Sequence, residues 1–267
     1  MPIVKVNGTE LFYEDTGGSG EPILFSHGLL WNTSLFAPQV VALKDRYRCV
    51  VYDHRGQGQS ADARGSEIGM DLLTDDAVAL IAALKLGKVH FCGLSMGGFV
   101  GMRLAARHPQ LVRSLILCET SADAELAENM AKYRKLNFVA RWLSLKFVSA
   151  KVMPILFGQT SLSDPGRAAE KTAWKAQLDG NRRSIWRAVN GVINRRAVID
   201  ELPRISAPTL VIVGDEDVAT VPAKAERIAK AIPHARLVRI PKAGHSSTVE
   251  QPQAVNAAIL DFLAPLA

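Results

Sequence analysis

The sequence predicts an α/β protein: a mostly parallel central sheet of about eight strands, helices on both of its faces, and an all-helical insertion. Three observations lead there. Short runs such as Arg48–Tyr52 and Val112–Cys118 are apolar at nearly every position, as strands covered on both faces of a parallel sheet are. They alternate with amphipathic stretches at helical spacing. That alternation stops at Glu119, gives way to helical pattern alone from Asp123 to about Asp200, and resumes at Pro208.

Taken in order, Ile3–Val6 and residues 10–16 alternate like antiparallel strands about the turn Asn7-Gly8, a strong hairpin signal. Pro22–Ser26 is a short apolar strand that runs into His27-Gly28-Leu29. Residues 35–43 form an amphipathic helix, Arg48–Tyr52 a buried strand, and residues 53–60 a glycine-rich loop. Leu72, Leu73, Val78, Ile81 and Leu84 give residues 71–86 a helical apolar stripe. A strand over 89–92 precedes a turn and a helix closed by His108-Pro109, and Val112–Cys118 follows as the next strand. Beyond the insertion come strand 208–213, helix 223–232, strand 237–240 and helix 251–263. Residues 1–122 and 202–267 thus make the core, and 123–201 the insertion.

Composition narrows the class. The chain is 48% hydrophobic and 22% charged, ordinary for a globular protein able to bury a large core. No stretch approaches the ~20 apolar residues of a membrane span, and Met-Pro-Ile-Val-Lys lacks the form of a signal peptide. Cys49, Cys92 and Cys118 all lie in strand-like runs, so buried free thiols and a cytoplasmic location are expected. The net charge of +6 resides in the insertion, where 14 Lys and Arg face 8 Asp and Glu. No nucleic-acid motif accompanies it, which leaves a solvated basic face or attraction of an anionic substrate.

The chemistry centres on residues 90–98, His-Phe-Cys-Gly-Leu-Ser-Met-Gly-Gly. Gly-x-Ser-x-Gly between a strand and a helix is a nucleophile elbow: the tight turn strains the serine backbone and lifts its hydroxyl clear of the sheet. Ser95 is the candidate nucleophile, and the N–H of Met96, at a helix N-terminus, a candidate oxyanion donor. A serine needs a base oriented by an acid, in the order Ser, acid, His. Of the downstream histidines, His108 ends a helix, His234 sits in a polar turn, and His245 lies in a loop after an apolar strand. His245 is the expected base. Strand 208–213 ends in Gly214-Asp215-Glu216-Asp217, and Asp217 is favoured over Asp215, for which capping the turn is expected. Glu119 is a weaker candidate acid and is expected to contact the insertion. Leu29, after Gly28, is the expected second oxyanion donor, with His27 a structural imidazole. In loop 53–60 the expectation is tight turns and an internal Asp–Arg contact. No Cys/His cluster has metal-ligand spacing, and no dinucleotide fingerprint is present, so no metal or cofactor is implied.

Together His27-Gly28-Leu29, Asp53-x-Arg55-Gly56-x-Gly58-x-Ser60, Gly93-Leu-Ser95-Met-Gly97-Gly98, Gly214-x-x-Asp217, and Gly244-His245 with Glu250-x-Pro252 resemble the α/β-hydrolase superfamily. Residues 91–98 and 207–213 are most similar to the group of 3-oxoadipate enol-lactonases and carboxylesterases. The resemblance implies an α/β-hydrolase fold whose insertion is a substrate-selecting cap. It also implies a serine hydrolase of a small ester or lactone, acting with Ser95, His245 and Asp217. C–C bond hydrolases, perhydrolases and hydrolase-fold receptors share much of the pattern; Leu30 stands where some perhydrolases carry proline. Trp31 and Trp142 are the expected pocket residues, with Phe147, Met153, Phe157, Trp174 and Trp186 as further wall or packing residues. Arg134, Lys135 and Arg141 are candidate partners for a substrate carboxylate. Oligomeric state has no signature in the sequence.

Overall fold

The computed structural model describes residues 2–266. Its strands are β1 (Ile3–Val6), β2 (Thr9–Asp15), β3 (Pro22–Ser26), β4 (Arg48–Tyr52), β5 (Val89–Leu94), β6 (Val112–Cys118), β7 (Thr209–Gly214) and β8 (Arg236–Ile240). They form one sheet in the order β1-β2-β4-β3-β5-β6-β7-β8. Only the pairings of β2 with β1 and β4 are antiparallel; the rest of the sheet is parallel. Asn7 and Gly8 both take positive φ, as a tight two-residue hairpin turn demands. Every residue of β5 and β7 is buried, because helices cover the sheet on both sides. Helices α1 (Ala37–Leu43) and α11 (Pro252–Leu263) pack together, as do α2 (Met70–Ala83) and α3 (Met96–Arg107), with α3 laid against β3, β5 and β6.

Between β6 and β7 the chain has helices only: α4 (Ala127–Trp142), α5 (Ser149–Leu156), α6 (Gln159–Ser163), α7 (Ala168–Asp179) and α8 (Trp186–Ile193). The carboxyl half adds α9 (Pro222–Ala231) and α10 (Ser247–Glu250). Several boundaries differ from the sequence pattern by a residue or more, and two of them have clear local reasons. β5 runs on to Leu94 because Gly93 and Leu94 still pair with Leu117 and Cys118 of β6. α2 ends at Ala83 because Lys85 turns left-handed and Leu86 N–H donates back to Ile81.

The chain leaves β3 toward β4 on one side, and β5 lies on the other. The carboxyl ends of β3 and β5 therefore flank the switch point where open α/β sheets form their ligand crevice. Cys49, Cys92 and Cys118 are buried and unpaired. No helix among the described residues is long and apolar enough to cross a membrane.

Candidate active site

Ser95 sits between β5 and α3 with φ 52° and ψ −108°, a conformation that costs a non-glycine residue about 1–3 kcal/mol. Its neighbours hold it there. Ser95 N–H donates to Cys118 O at 2.9 Å, and the Thr120 hydroxyl and Phe99 N–H donate to Ser95 O at 2.8 and 3.0 Å. The flanking glycines answer to space: a Cβ on Gly93 would strike the Gly97 carbonyl, and one on Gly97 the Ser26 carbonyl.

The carboxyl ends of β7 and β8 bring Asp217 and His245 to that serine. Ser95 Oγ lies 2.8 Å from His245 Nε2, and His245 Nδ1 lies 2.9 Å from Asp217 Oδ2. With Nδ1 protonated toward the carboxylate, Nε2 is left to accept from the Ser95 hydroxyl. The three groups are 9%, 5% and 3% exposed, so water competes little for these bonds. Asp217 also accepts from the N–H groups of Ala219 and Thr220 and from the Thr220 hydroxyl. Burial alone would push its pKa up. The charge and hydrogen bond of His245, with the Thr220 bonds, outweigh that and hold the carboxyl below its ordinary range. Asp215 points elsewhere, to Arg239 at 2.6 Å, instead of capping the turn.

A residue whose role the sequence pattern left unread, Glu250, fixes the His245 turn. Its Oε1 accepts from Gly244 and Ser246 N–H at 2.9 and 3.3 Å, and its Oε2 from Gly158 N–H of the helical insertion at 2.8 Å.

The loop after β3 supplies the opposite wall. The N–H groups of Leu29 and Met96 donate to no acceptor among the described residues. Gly28 permits the approach, since a Cβ there would come within 2.9 Å of Leu94 Cδ2 and 3.5 Å of Ser95 Cβ. Leu30 is left-handed at φ 71° and its N–H donates to Gln57 Oε1 at 3.1 Å. Gln57 Nε2 in turn meets Met96 Sδ at 3.7 Å, so one buried amide touches residues beside both free N–H groups. Asp53 accepts from Thr33 and Gln59 N–H, each at 2.7 Å. Arg55 pairs with Asp76 rather than with Asp53, correcting the expected contact inside loop 53–60. His27 is structural as expected: Nδ1 meets Gly28 O at 2.7 Å, and Nε2 accepts His54 N–H at 3.1 Å.

A cavity of about 130 Å³ opens onto Ser95 and His245. Its walls are largely aliphatic, from Leu29, Leu136, Val152, Leu156 and Val192 among others, and Trp31 also lines it. Trp142 does not. It is 58% exposed on the outer face of α4, where Arg141 stacks against it at 5.0 Å. Phe147 is likewise exposed, whereas Phe157 and Trp174 stack on each other at 4.3 Å and pack behind Trp31. Arg134, Lys135 and Arg141 are exposed and do not line the cavity. Glu119 makes no ion pair with the insertion; both its oxygens are buried without a protein partner. Among the described residues no group of three or more His, Cys, Asp and Glu side chains is placed to hold a metal ion.

The sequence model of the Alpha/beta hydrolase family matches residues 23–258, most of the chain. The chain belongs to that family. This α/β hydrolase is 30% identical to 3-oxoadipate enol-lactonase 2 of Acinetobacter baylyi over 250 residues, 93% of this chain and 91% of that one. It is 27% identical over 251 residues to a protein of Agrobacterium fabrum named as a carbamate hydrolase, RutD, covering 94% and 95% of the two. The crystal structure of the enol-lactonase from Burkholderia xenovorans LB400 superposes with a TM-score of 0.91 at 31% identity, covering 98% of this chain and 100% of that one. The α/β hydrolase is thus an enzyme of a superfamily whose members share the fold and differ in the bond they cleave.

Proposed function

We propose that this enzyme is a serine hydrolase of short-chain carboxylic esters or lactones that works through an acyl-enzyme. The observation that carries the reading is the unbroken line of hydrogen bonds from Ser95 through His245 to an Asp217 held as an anion. Ser95 Oγ attacks the substrate carbonyl as its proton passes to His245 Nε2. The carbonyl oxygen, now an oxyanion, takes hydrogen bonds from the Leu29 and Met96 N–H groups, which have no other acceptor among the described residues. The tetrahedral adduct collapses, the ester C–O bond breaks, and His245 Nε2 returns the proton to the departing alkoxide. Water then attacks the acyl-enzyme by the same route, giving up its proton to His245 and releasing the acid and a free Ser95. Asp217 keeps the imidazole in the required tautomer throughout.

Residues 123–201 act in this reading as a cap that closes the cavity over Ser95, since Leu136, Val152 and Val192 come from it. A perhydrolase reading is less well supported. Leu30 holds a φ of 71° and donates its N–H, whereas proline is confined near −65° and has no N–H, so a proline-bearing loop cannot share this geometry.

Ser95→Ala tests the proposal. Hydrolysis of p-nitrophenyl butyrate is expected to fall by at least about four orders of magnitude with the circular dichroism spectrum unchanged. A fluorophosphonate probe should add its mass to the wild-type chain and not to the variant. Undiminished turnover, or labelling that persists without Ser95, overturns it.

A further inference from the structure

Away from Ser95, His245 and Thr220 the cavity wall is apolar except at its cap side, where Glu125, Tyr133, Asn137 and Arg195 line it. Arg195 is only 6% exposed and is held by the cap itself. Its Nη1 donates to Glu125 Oε2 and Val192 O, both at 2.8 Å, and its Nε to Asp123 O at 3.1 Å. The guanidinium stacks on the Phe99 ring at 4.4 Å. Nη2 donates to no group among the described residues, and neither does the Tyr133 hydroxyl. Neither atom is a buried orphan, and both residues line the open volume. Two free donors in an apolar cavity shared with a nucleophile are an acceptor site.

The charge of the site selects the acceptor. Glu125 sits 2.8 Å from Arg195 with both side chains almost wholly buried, so the pair is neutral as a unit. A substrate carboxylate would bring a second anion beside Glu125 in a poorly solvated space, while a carbonyl oxygen takes the hydrogen bonds without adding charge. Position follows from the shared cavity. Ser95, Tyr133 and Arg195 border the same volume, and Phe99 beneath the guanidinium lies about one helical turn beyond Ser95, so a single acyl chain is placed to span from the scissile carbonyl to the acceptor.

We propose that Arg195 Nη2 and the Tyr133 hydroxyl form a subsite for a neutral carbonyl, of a ketone or amide, on the acyl arm of the substrate. This rests on the reading of Ser95 as the acylated residue. The size agrees: cavities of about 150 Å³ hold a six-carbon ring, and this one is about 130 Å³.

The test compares p-nitrophenyl esters of hexanoate, 5-oxohexanoate and hemiglutarate, matched in length. The 5-oxo ester should exceed hexanoate in kcat/KM by about ten- to hundredfold, as a hydrogen bond to a charged donor allows, and hemiglutarate should fall below hexanoate. In Tyr133→Phe the oxo-to-alkyl ratio should drop severalfold. In Arg195→Met/Glu125→Gln, which leaves no unpaired buried charge, it should fall to within about twofold of one. A wild-type ratio near one, a preference for hemiglutarate, or a ratio unmoved in both variants overturns the subsite. Failure of all three esters to turn over, or turnover independent of Ser95, instead overturns the hydrolase reading beneath it.

Discussion

Glu119 offers a direct reading of one buried proton. Its carboxyl group lies wholly buried just past the end of β6, at a left-handed φ of 42°, and neither oxygen has a protein hydrogen-bond partner among the described residues. Burial pushes its pKa well above the ordinary 4.5; Cys118, Asp217 and Glu250 push the same way, against a smaller opposing contribution from Ser247. The folded chain therefore holds a proton that the unfolded chain has released above pH 4.5. The stability tied to this group is complete below that pH and is lost as pH rises toward the folded value, at about 1.4 kcal/mol per pH unit while the proton stays bound. Glu119→Gln keeps the size and the neutral polarity but removes the titration. The unfolding free energy of the variant relative to wild type should thus climb as pH rises above 4.5, by at most about 1.4 kcal/mol per pH unit while the folded carboxyl keeps its proton, whatever constant offset the amide brings. Over 267 residues, at about 2.1 cal/mol/K of unfolding entropy each, that limit is about 2–3 °C in Tm per pH unit. Calorimetric melts of both proteins between pH 5 and pH 7 measure it. Parallel Tm curves would refute the reasoning, because they require a carboxylate already ionised in the fold.

Two further substitutions address the catalytic geometry. Asp217→Asn should lower kcat by about 10⁴-fold with little change in KM, because an amide no longer selects the tautomer that leaves Nε2 free; steady-state kinetics on p-nitrophenyl butyrate decide it, and a loss confined to KM would contradict the role. Gln57→Met removes the acceptor for Leu30 N–H while filling the same space, and kcat should fall about tenfold with KM within about twofold, less than deletion of an oxyanion donor costs. Gln57→Glu, which keeps the acceptor, should restore part of the loss, and equal damage from both variants would reduce Gln57 to a packing residue.

How much of this was legible depended on whether the constraint is local. The elbow is local: strained backbone, close approach of Gly93 and Gly97, and a helix start all lie within a few residues, so Ser95 could be read directly. Asp217 and His245 were readable because strand ends in a parallel sheet share one rim, and only a few candidates end a strand on it. Gln57 and Glu250 were different. Gln57 reads as a polar loop residue until loop 53–60 is folded against residues 27–33, and Glu250 as part of a helix start until Gly158 and Gly244 converge on it. The pocket was least legible. Trp142 and Trp186 fit a wall on composition, but α4 turns its Ala140, Leu136 and Tyr133 inward and leaves Trp142 outside. Period and composition do not set which stripe of a marginally amphipathic helix faces the core when the partner surface is remote in sequence.

The contacts across the rim bear on how substrate choice and chemistry are joined. The insertion touches both halves of the site. Gly158 N–H meets the Glu250 carboxylate that also holds the His245 turn, and a Cβ on Gly158 would come within 2.8 Å of Gly244 N. On the other side Asn181 Nδ2 donates to Leu30 O at 3.0 Å, in the loop that presents Leu29 N–H, and Arg182 Nη2 donates to Ser60 O at 2.7 Å, in the loop 53–60 packed against it. In the proposed reading the cap is therefore tied to the turn that bears His245 and to the loops beside Leu29 by hydrogen bonds that each join a side chain to a backbone group. A purely occluding lid would need neither link. If the proposed acyl transfer holds, binding energy gained by an acyl arm against the cap can thus be expressed at the reacting carbonyl, where only interactions that strengthen in the transition state raise kcat.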